Sequence, residues 1–487
     1  MSGILRVRTR LAGLAVAASV LLAGCGSFGG AMPVAGTGTI TAGPSLATNA
    51  DPEDVAVAQR EHPNILAAYG GAYSDPDAEM AVAQAVGRLI GPGGPSYRIT
   101  ILNSPAVNAF ALPGGYVYVT RGLLALANDS AELAAVIAHE MAHIVANHAS
   151  ARQQQAETAA ILNRVATDVL QDPEEAEATL DSARLQLAQF SQAQEREADR
   201  IGIEAIAAAG YDPYGAVRFL TSMGRFAAYQ TATDLSDSEG DFLSSHPTTP
   251  ARIAAAEALA ASLRPASAQG ADTYLTHLEG LMFGDDAVEG FIRGRQFLHS
   301  ELGLAFTVPE GFALENTADA VLATGRDGSA MRFDGVDLPA MADLVGYIRS
   351  GWINGLISSS VEAGAVGGAP AAFASAATGG YSYRIAVVRL GNATYRFLFA
   401  TRRPTAAFEQ AFTSTVSSFR ALSPAERENL HPLRLHIVTV APGQTAEQLA
   451  QSMAPGLDRP AELFRTLNGL APGQQPRAGS LVKLVVE

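Results

Sequence analysis

Cysteine and lysine are almost absent from this 487-residue sequence, which contains one of each, Cys25 and Lys483. A single cysteine excludes disulfides within the chain, CxxC metal sites and cysteine-rich redox centres. Charged residues make up only 17% of the chain, and 33 basic against 48 acidic side chains give a net charge of −15. So acidic a chain cannot readily assemble the basic surface that phosphates require, and we therefore expect no nucleic-acid partner.

The amino terminus has the pattern of an export signal. Three arginines precede an apolar run at residues 11–22, which is shorter than the roughly 20 residues that cross a bilayer. The run leads into Leu-Ala-Gly-Cys25, which resembles the bacterial lipobox, whose cysteine receives a lipid. We predict a signal peptide at residues 1–24, lipidation of Cys25 and a flexible tether at residues 25–50. The alternative is an ordinary export signal with a buried thiol.

The residue after the cysteine bears on where such a lipid would anchor the protein. Lipoproteins kept in the inner membrane often carry Asp there, whereas this chain has Gly26. By that resemblance we expect an outer-membrane lipid anchor with the protein facing the periplasm.

Hydrophobic residues make up 48% of the chain, which excludes general disorder, and the length predicts about three folded units. Residues 51–263 are predicted to be mainly helical, with three short strands between residues 97 and 120. Residues 271–422 mix helices and strands and predict an α/β or α+β domain of unknown role. Residues 431–487 show a strand-helix-helix-strand pattern. The predicted architecture is thus multidomain.

An HExxH motif lies on a helix predicted at residues 131–150, which follows a capping-type residue, Asp129. At about 100° per residue, His139 and His143 lie about 40° apart and can present two imidazoles to one metal ion. Glu140 lies at the edge of that face, where its carboxylate can reach a metal-bound water without becoming a ligand. The opposite face is apolar and predicted to be buried.

The motif does not extend to HExxHxxGxxH, so a third protein ligand has to come from another segment. The best candidate is a helix predicted at residues 191–210. Glu195 and Asp199 share one face of it, and the small residues Ala198 and Gly202 would permit close approach to the HExxH helix. Glu195 would then bind the ion and Asp199 would hydrogen-bond a ligand imidazole. Without the HExxH helix, this pair would be read as an ordinary charged face.

Two neighbouring polar residues are expected to have structural roles rather than to bind the metal. His148 projects about 180° from His139 on a continuous helix, so we expect it to serve in packing or at the helix end. Glu197 projects about 200° from Glu195, so we expect it to be solvated or salt-bridged.

Several segments together resemble one protein family: HEMAH at residues 139–143, VNAFALPGGYVYVTRGLL at 107–124, EREADRIG at 195–202, GYDP at 210–213 and HPTTPAR at 246–252. They resemble the zinc metallopeptidase family of HtpX and the CAAX prenyl endopeptidases, family M48, and within it the soluble periplasmic BepA-like branch. The resemblance covers residues 51–263, less than half of the chain.

That resemblance implies a zincin-type (gluzincin) protease domain, mainly α with a small β-sheet, that holds one zinc ion per chain. The family pattern makes His139, His143 and Glu195 the zinc ligands, Glu140 the general base and Asp199 the acidic residue behind them. The expected activity is that of a zinc metalloendopeptidase.

The strand predicted at residues 107–112 is the expected substrate-binding edge, and it carries Val107, Asn108, Ala109 and Phe110. An edge strand can pair with an extended peptide through backbone hydrogen bonds, which favours broad specificity for unfolded segments. The alternative is an ordinary member of the sheet.

His246 lies in a loop and is kept as a candidate catalytic residue with three possible roles. Its imidazole could occupy the open metal position and block the site, could donate a hydrogen bond in the transition state, or could cap the helix predicted to begin near Pro250.

The last unit, at residues 435–487, resembles a LysM module, a small βααβ unit that usually binds glycans containing N-acetylglucosamine. Gln444 stands where that family usually has Asp, and an insertion near residues 455–460 alters the loop that commonly forms the glycan groove. Peptidoglycan binding and a purely structural role are equal alternatives.

The leading hypothesis is a periplasmic zinc endopeptidase that degrades misfolded or misassembled envelope proteins. One alternative is an envelope chaperone or assembly factor with a latent metal site. The other is a wall-associated protein that acts on peptidoglycan peptides.

Overall fold

The computed structural model describes residues 52–91, 97–112, 114–148, 151–152, 154, 173–232, 246–263, 273–317 and 320–487. The predicted signal peptide, Cys25 and the tether lie outside the described residues. Within the described ranges, no helix is both long enough and apolar enough to cross a membrane.

The first unit consists of helices around a three-stranded sheet. Its helices are α1 Pro52–Ala68, α2 Pro76–Ile90, α3 Arg121–Leu126, α4 Ser130–Val145, α5 Pro173–Ala208, α6 Tyr214–Ala232 and α7 Pro250–Ser262. Its strands, β1 Arg98–Leu102, β2 Ala109–Leu112 and β3 Tyr116–Thr120, lie in the order β1-β3-β2. The three predicted strands are present, and β2 and β3 form a hairpin, because β2 pairs antiparallel with β3, with Leu112 opposite Tyr116.

Helix α4, which carries the HExxH motif, lies at the centre of this unit. Its N-cap residue Asp129 accepts a hydrogen bond from a first-turn backbone N–H at 2.8 Å, as the sequence predicts. Residues 131–142 are all buried, because α2, α5, α6 and β2 surround the helix. Burial therefore extends to the histidine face as well as the apolar face. The helix ends at Val145, earlier than predicted, and Asn147 then adopts a left-handed backbone with a φ of 53°.

Small residues bring the neighbouring helices close to α4. Ala198 on α5 is fully buried. A Cβ added to Gly202 would lie 3.1 Å from the backbone nitrogen of His139. On α6, a Cβ added to Gly215 would lie 2.6 Å from the carbonyl oxygen of Ala131. The predicted close approach of α5 to α4 is confirmed.

The middle unit is antiparallel throughout. Its strands are β5 Phe291–Arg293, β6 Gln296–His299, β7 Leu304–Thr307, β8 Phe312–Asn316, β9 Val321–Gly325, β10 Ala330–Val336, β11 Glu362–Val366, β12 Ala369–Thr378, β13 Tyr381–Leu390, β14 Ala393–Thr401 and β15 Arg420–Ala421. Seven of them form one sheet in the order β11-β12-β13-β14-β10-β9-β8, and the other four form a second sheet in the order β15-β7-β6-β5. The helices are α8 Leu344–Ile348, α9 Ala406–Ser417 and α10 Pro424–Glu428. Antiparallel strands with separate helices make this unit α+β, one of the two predicted classes.

The C-terminal unit follows the predicted order, with β16 Leu433–Thr439, α11 Ala446–Gln451, α12 Pro460–Leu467 and β17 Leu481–Val486. Strand β16 lies between β17 and a short strand β4, Met282–Phe283, which comes from the region predicted as the middle unit. Leu433 pairs with Phe283 in this sheet.

One hydrophobic core joins the first and last units. Leu124 and Met223 from the first unit belong to the same buried cluster as Leu463, Phe464 and Val485 from the last. The C-terminal unit therefore packs into the core that surrounds α4.

Candidate metal centre

Four side chains from three segments converge at one buried point. His139 and His143 come from α4, Glu195 from α5, and His246 from the loop before α7, and each offers one ligand atom within 4.8 Å of the others. The four-residue spacing of the histidines places them on one face of α4. The small residues of α5 then bring Glu195 to that face.

The distances within the cluster are short. Nε2 of His143 lies 3.1 Å from Nε2 of His139. Oxygens of Glu195 lie 3.4 Å from His139 Nε2 and 3.5 Å from His143 Nε2. His139 is 6% exposed and Glu195 3% exposed, so bulk water does not separate these groups.

Asp199 hydrogen-bonds the outer nitrogen of His139, as predicted. Its Oδ1 lies 3.0 Å from His139 Nδ1. Arg252 donates to both oxygens of Asp199, at 2.8 and 2.7 Å, and its third nitrogen lies 3.0 Å from Glu195. Arg252 thus holds two of the site carboxylates at once, a role that the sequence did not reveal. The HPTTPAR segment contains it, but nothing in that segment shows where the side chain points.

The donor set fits a divalent metal ion. The Nδ1 atoms of His139 and His143 both face outward partners, Asp199 and His148, so their Nε2 atoms are left facing each other at 3.1 Å. Two nitrogen lone pairs repel at that distance unless a proton or a cation lies between them. Imidazole nitrogens together with one carboxylate are ligands that zinc prefers.

Glu140 is buried beside the cluster, with 6% of its surface exposed. Among the described residues, no group donates a hydrogen bond to its Oε1, and His246 Nε2 approaches to 3.5 Å. Burial raises the pKa of the Glu140 carboxyl, while the neighbouring His246 and His139 act in the opposite direction. A buried oxygen without a donor is suited to accept a proton.

Burial and neighbouring charges also shift the pKa values of the three proposed ligands, His139, His143 and Glu195. Burial alone would lower the pKa of His139, but hydrogen bonds to Asp199 and Glu195 raise that pKa to about 10. Burial lowers the pKa of His143, and the nearby His139 and His246 lower it further. Burial opposes ionisation of Glu195, yet hydrogen bonds from His139 and His246 hold its pKa far below the usual range. The cluster therefore favours a bound positive charge.

His246 lies in the cluster rather than at a helix end. Its Nδ1 lies 2.9 and 3.0 Å from the oxygens of Glu195 and 3.3 Å from His139 Nε2. The alternative in which His246 caps the following helix is wrong, because Thr249 is the N-cap and accepts from the backbone N–H of Arg252.

His148 also lies elsewhere than predicted. The 180° projection assumed a continuous helix, whereas α4 ends at Val145 and the left-handed Asn147 redirects the chain. His148 Nδ1 consequently lies 2.9 Å from His143 Nδ1, and its Nε2 lies 3.3 Å from Glu197. The Glu197 side chain is 53% exposed, so it is both partly solvated, as predicted, and in contact with the site.

The residues predicted to bind substrate lie in β2 or just before it, and most of their side chains are buried. Strand β2 begins at Ala109, so Val107 and Asn108 precede it. Val107, Asn108 and Ala109 are buried. Phe110 stacks on Tyr118, with ring centroids 4.9 Å apart. Strand β2 is nevertheless an edge of its sheet and packs against α4.

Comparison with known proteins identifies the first unit. The profile described as Peptidase family M48 matches residues 75–260. The chain is 36% identical over 154 residues to the mitochondrial metalloendopeptidase OMA1 of Arabidopsis thaliana, covering 32% of this chain and 30% of that protein. It is 28% identical over 187 residues to the beta-barrel assembly-enhancing protease of Escherichia coli (strain K12), covering 37% of each.

A third relative, the mitochondrial metalloendopeptidase OMA1 of Schizosaccharomyces pombe, is 32% identical over 211 residues, covering 40% of this chain and 58% of that protein. The chain thus spans less than two thirds of the length of each of these relatives. The matched segment includes all four side chains of the cluster, together with Glu140, Asp199 and Arg252. The chain therefore carries a domain of peptidase family M48.

Proposed function

We propose that this protein is a zinc-dependent endopeptidase that binds one zinc ion per chain through His139, His143 and Glu195. The observation that carries this proposal is the buried convergence of these three side chains, beside an oxygen of Glu140 that receives no hydrogen bond from any described residue. A protein that acted only as a binding surface would have no physical need to bury two imidazole nitrogens facing each other at 3.1 Å beside a carboxylate.

Each residue around the ion would have a separate role in peptide hydrolysis. A zinc ion in this site would supply a Lewis acid for the scissile carbonyl and a water of lowered pKa. Glu140 would accept the proton of the attacking water and return it to the leaving amine. Asp199 would hold the ring of His139, and Arg252 would fix both Asp199 and Glu195. The burial of the cluster excludes competing water.

We propose that His246 closes the site at rest. Three imidazoles and one carboxylate would make a four-ligand set around a zinc ion, which would leave no position for water or substrate. Hydrolysis would then require the loop that carries His246 to withdraw. The second use of His246, as a hydrogen-bond donor in the transition state, is consistent with its 3.5 Å approach to Glu140.

The substrate would lie along the free edge of β2. No other described strand pairs with that edge. Backbone pairing selects extended chains rather than particular side chains, so unfolded or misassembled proteins are the expected substrate class.

We infer a location in the bacterial envelope, facing the periplasm and tethered to the outer membrane through a lipid on Cys25. The lipobox-like sequence before Cys25 supports the lipid anchor. The similarity to the beta-barrel assembly-enhancing protease of Escherichia coli supports an envelope role, and with it misfolded or misassembled envelope proteins as substrates.

For the C-terminal unit we propose a structural role rather than peptidoglycan binding. Its core is continuous with that of the first unit. The loop after α12 is docked as well, because Arg225 on α6 donates to the carbonyl of Gly469. Recovery of the full-length protein on purified peptidoglycan would contradict this assignment.

Cleavage of casein with and without a metal chelator tests the proposed activity, together with metal analysis of the purified protein. We expect zinc at about one equivalent and proteolysis that a chelator abolishes and added zinc restores. A protein that binds zinc and suppresses aggregation but cleaves nothing, even after His246→Ala, would instead be a chaperone with a latent metal site. Cleavage of muropeptides but not casein would favour a wall-acting enzyme.

A further inference from the structure

Each histidine of the HExxH motif has a polar partner behind it. For His139 that partner is Asp199, 3.0 Å from its Nδ1. For His143 the partner is another histidine, His148, whose Nδ1 lies 2.9 Å from the Nδ1 of His143. The second pair does not follow from the HExxH and ExxxD spacing.

Hydrogen-bond chemistry fixes where the protons lie in this second pair. The nitrogen of His143 that faces the cluster is Nε2, 3.1 Å from His139 Nε2. A nitrogen that binds a metal carries no proton, so the neutral ring of His143 is protonated on Nδ1. That N–H donates to Nδ1 of His148, which must therefore be unprotonated. The proton of His148 then lies on Nε2, 3.3 Å from the Glu197 carboxylate.

The fold holds His148 firmly in this position. The left-handed Asn147 directs it back toward α4, and His148 is only 3% exposed. The side-chain amide of Gln194 on α5 donates to its carbonyl at 2.9 Å. Helix α5 thus supports both histidines of the motif, through Asp199 for one and through Gln194 and Glu197 for the other.

We propose that His148 is a positioning residue for the metal ligand His143, and that Glu197 fixes the tautomer of His148. The ring of His148 orients His143 and increases the basicity of its Nε2, as carboxylate partners of metal-bound histidines do. This inference rests on the proposed metal-binding function. It implies a line of two hydrogen bonds, from the metal ligand His143 to His148 and from His148 to the carboxylate of Glu197 at the surface.

The test compares zinc affinity in full-length variants. In His148→Phe the ring volume is kept but the acceptor is lost, so we expect the zinc dissociation constant, from competition with a chelator, to rise about 10–100-fold. In His148→Asn an amide oxygen can take the place of Nδ1, so we expect most of the affinity to return. Nitrogen NMR of the zinc-bound wild type should show the proton of His143 on Nδ1.

If His148→Phe does not fold, one further variant and two controls still test the proposal. Glu197→Ala should weaken zinc binding severalfold. The matched control is Glu204→Ala on the same helix, which removes a carboxylate paired with Arg200 and should leave zinc binding unchanged. His436→Phe is a second control, because its histidine also contacts a glutamate, Glu279, but lies in the C-terminal unit.

Distinct results would overturn this inference and the proposed function. Wild type that binds no zinc would sink the proposed function itself. Wild type that binds zinc, with equal affinity in His148→Phe or in Glu197→Ala, would overturn the role of His148 alone. So would a His148→Asn protein as weak as His148→Phe, because restoring a hydrogen-bond acceptor would then fail to restore zinc affinity.

Discussion

The ammonium group of Lys483 lies 2.8 Å from the carbonyl oxygen of Ala127. Lys483 comes from the last strand of the chain, whereas Ala127 follows α3, just before the N-cap of α4. The same nitrogen also donates to the carbonyls of Ala125 and Leu126, at 2.8 and 3.2 Å. The sole lysine of the protein therefore ties the C-terminal unit to the start of the helix that carries the metal ligands.

Lys483→Met should lower the free energy of unfolding by about 2–4 kcal/mol, measured by chemical denaturation and circular dichroism. Methionine is unbranched and only one atom shorter than lysine, but it cannot donate to the buried carbonyls. Lys483 is fully buried. Burial lowers the pKa of Lys483 and raises that of Glu132, while the opposite charges of the two groups act against both shifts. Arg434→Met, an exposed change in the same unit, is the control and should cost under about 0.5 kcal/mol. Equal stability of the two variants would contradict the tie.

Glu140→Gln should keep zinc but lose on the order of 100-fold or more in the rate of peptide-bond cleavage. The amide has nearly the shape of the carboxylate but cannot accept the proton of water. Metal analysis and casein cleavage check both halves of the expectation. Undiminished proteolysis by the pure variant would remove Glu140 from the mechanism.

His246→Ala should increase the turnover of short peptides severalfold, because it frees the fourth position that His246 occupies near Glu195 and His139. Cleavage of a fluorogenic peptide at saturating substrate measures this effect. A large fall in turnover with zinc retained would favour the transition-state role instead. Unchanged activity and unchanged metal geometry would leave His246 with neither role.

Ala111→Pro should raise KM for unfolded protein about tenfold with little change in kcat. Thr120 donates its backbone N–H to the carbonyl of Asn108, so the antiparallel alternation directs the backbone groups of Ala109 and Ala111 away from β3. Proline at residue 111 removes one outward N–H and spares the ladder between β2 and β3. Ala109→Val, which keeps that N–H, is the control. Equal KM values for the two variants would argue against substrate pairing at this edge.

The middle unit should lose stability as the pH falls from about 6.5 to about 4. Burial lowers the pKa of His299 to about 4, and its Nδ1 accepts a hydrogen bond from the backbone N–H of Leu302. Because the unfolded chain takes up a proton at a higher pH than the folded unit, this contribution is complete above pH 6.5. It declines by up to about 3 kcal/mol as the pH falls to 4.

Urea titrations that follow the fluorescence of Trp352, the only tryptophan, report on this unit. The difference in stability between wild type and His299→Gln should vary over that pH window and be constant above it. Parallel curves throughout the window would show that His299 does not titrate on unfolding.

Local patterns predicted much of the site, because the spacing of residues along a helix determines which of them share a face. Glu195 and Asp199 both contact His139 as expected, because the small residues Ala198 and Gly202 permit the close approach of α5. The position of His148 was missed because a single left-handed residue, Asn147, changed its direction.

Long-range contacts were beyond such patterns. Nothing in the local sequence of Arg252 indicates that its guanidinium would reach Asp199, 53 residues away. Likewise, Lys483 lies in an ordinary strand pattern, and only the packing of the two units shows that it is buried against α3. Tertiary packing decides the direction and partners of these cations.

The pairing of Phe283 with Leu433 makes the middle unit a greatly enlarged hairpin loop. The middle unit begins after β4 and ends before β16, and these two strands are neighbours in one sheet. The middle unit is therefore an insertion whose two ends lie side by side. The entropy of closing a loop grows only slowly with its length, so a whole domain can occupy such a connection at little cost to the host. The first unit is therefore discontinuous in sequence. Its core needs both the segment up to β4 and about the last 55 residues of the chain.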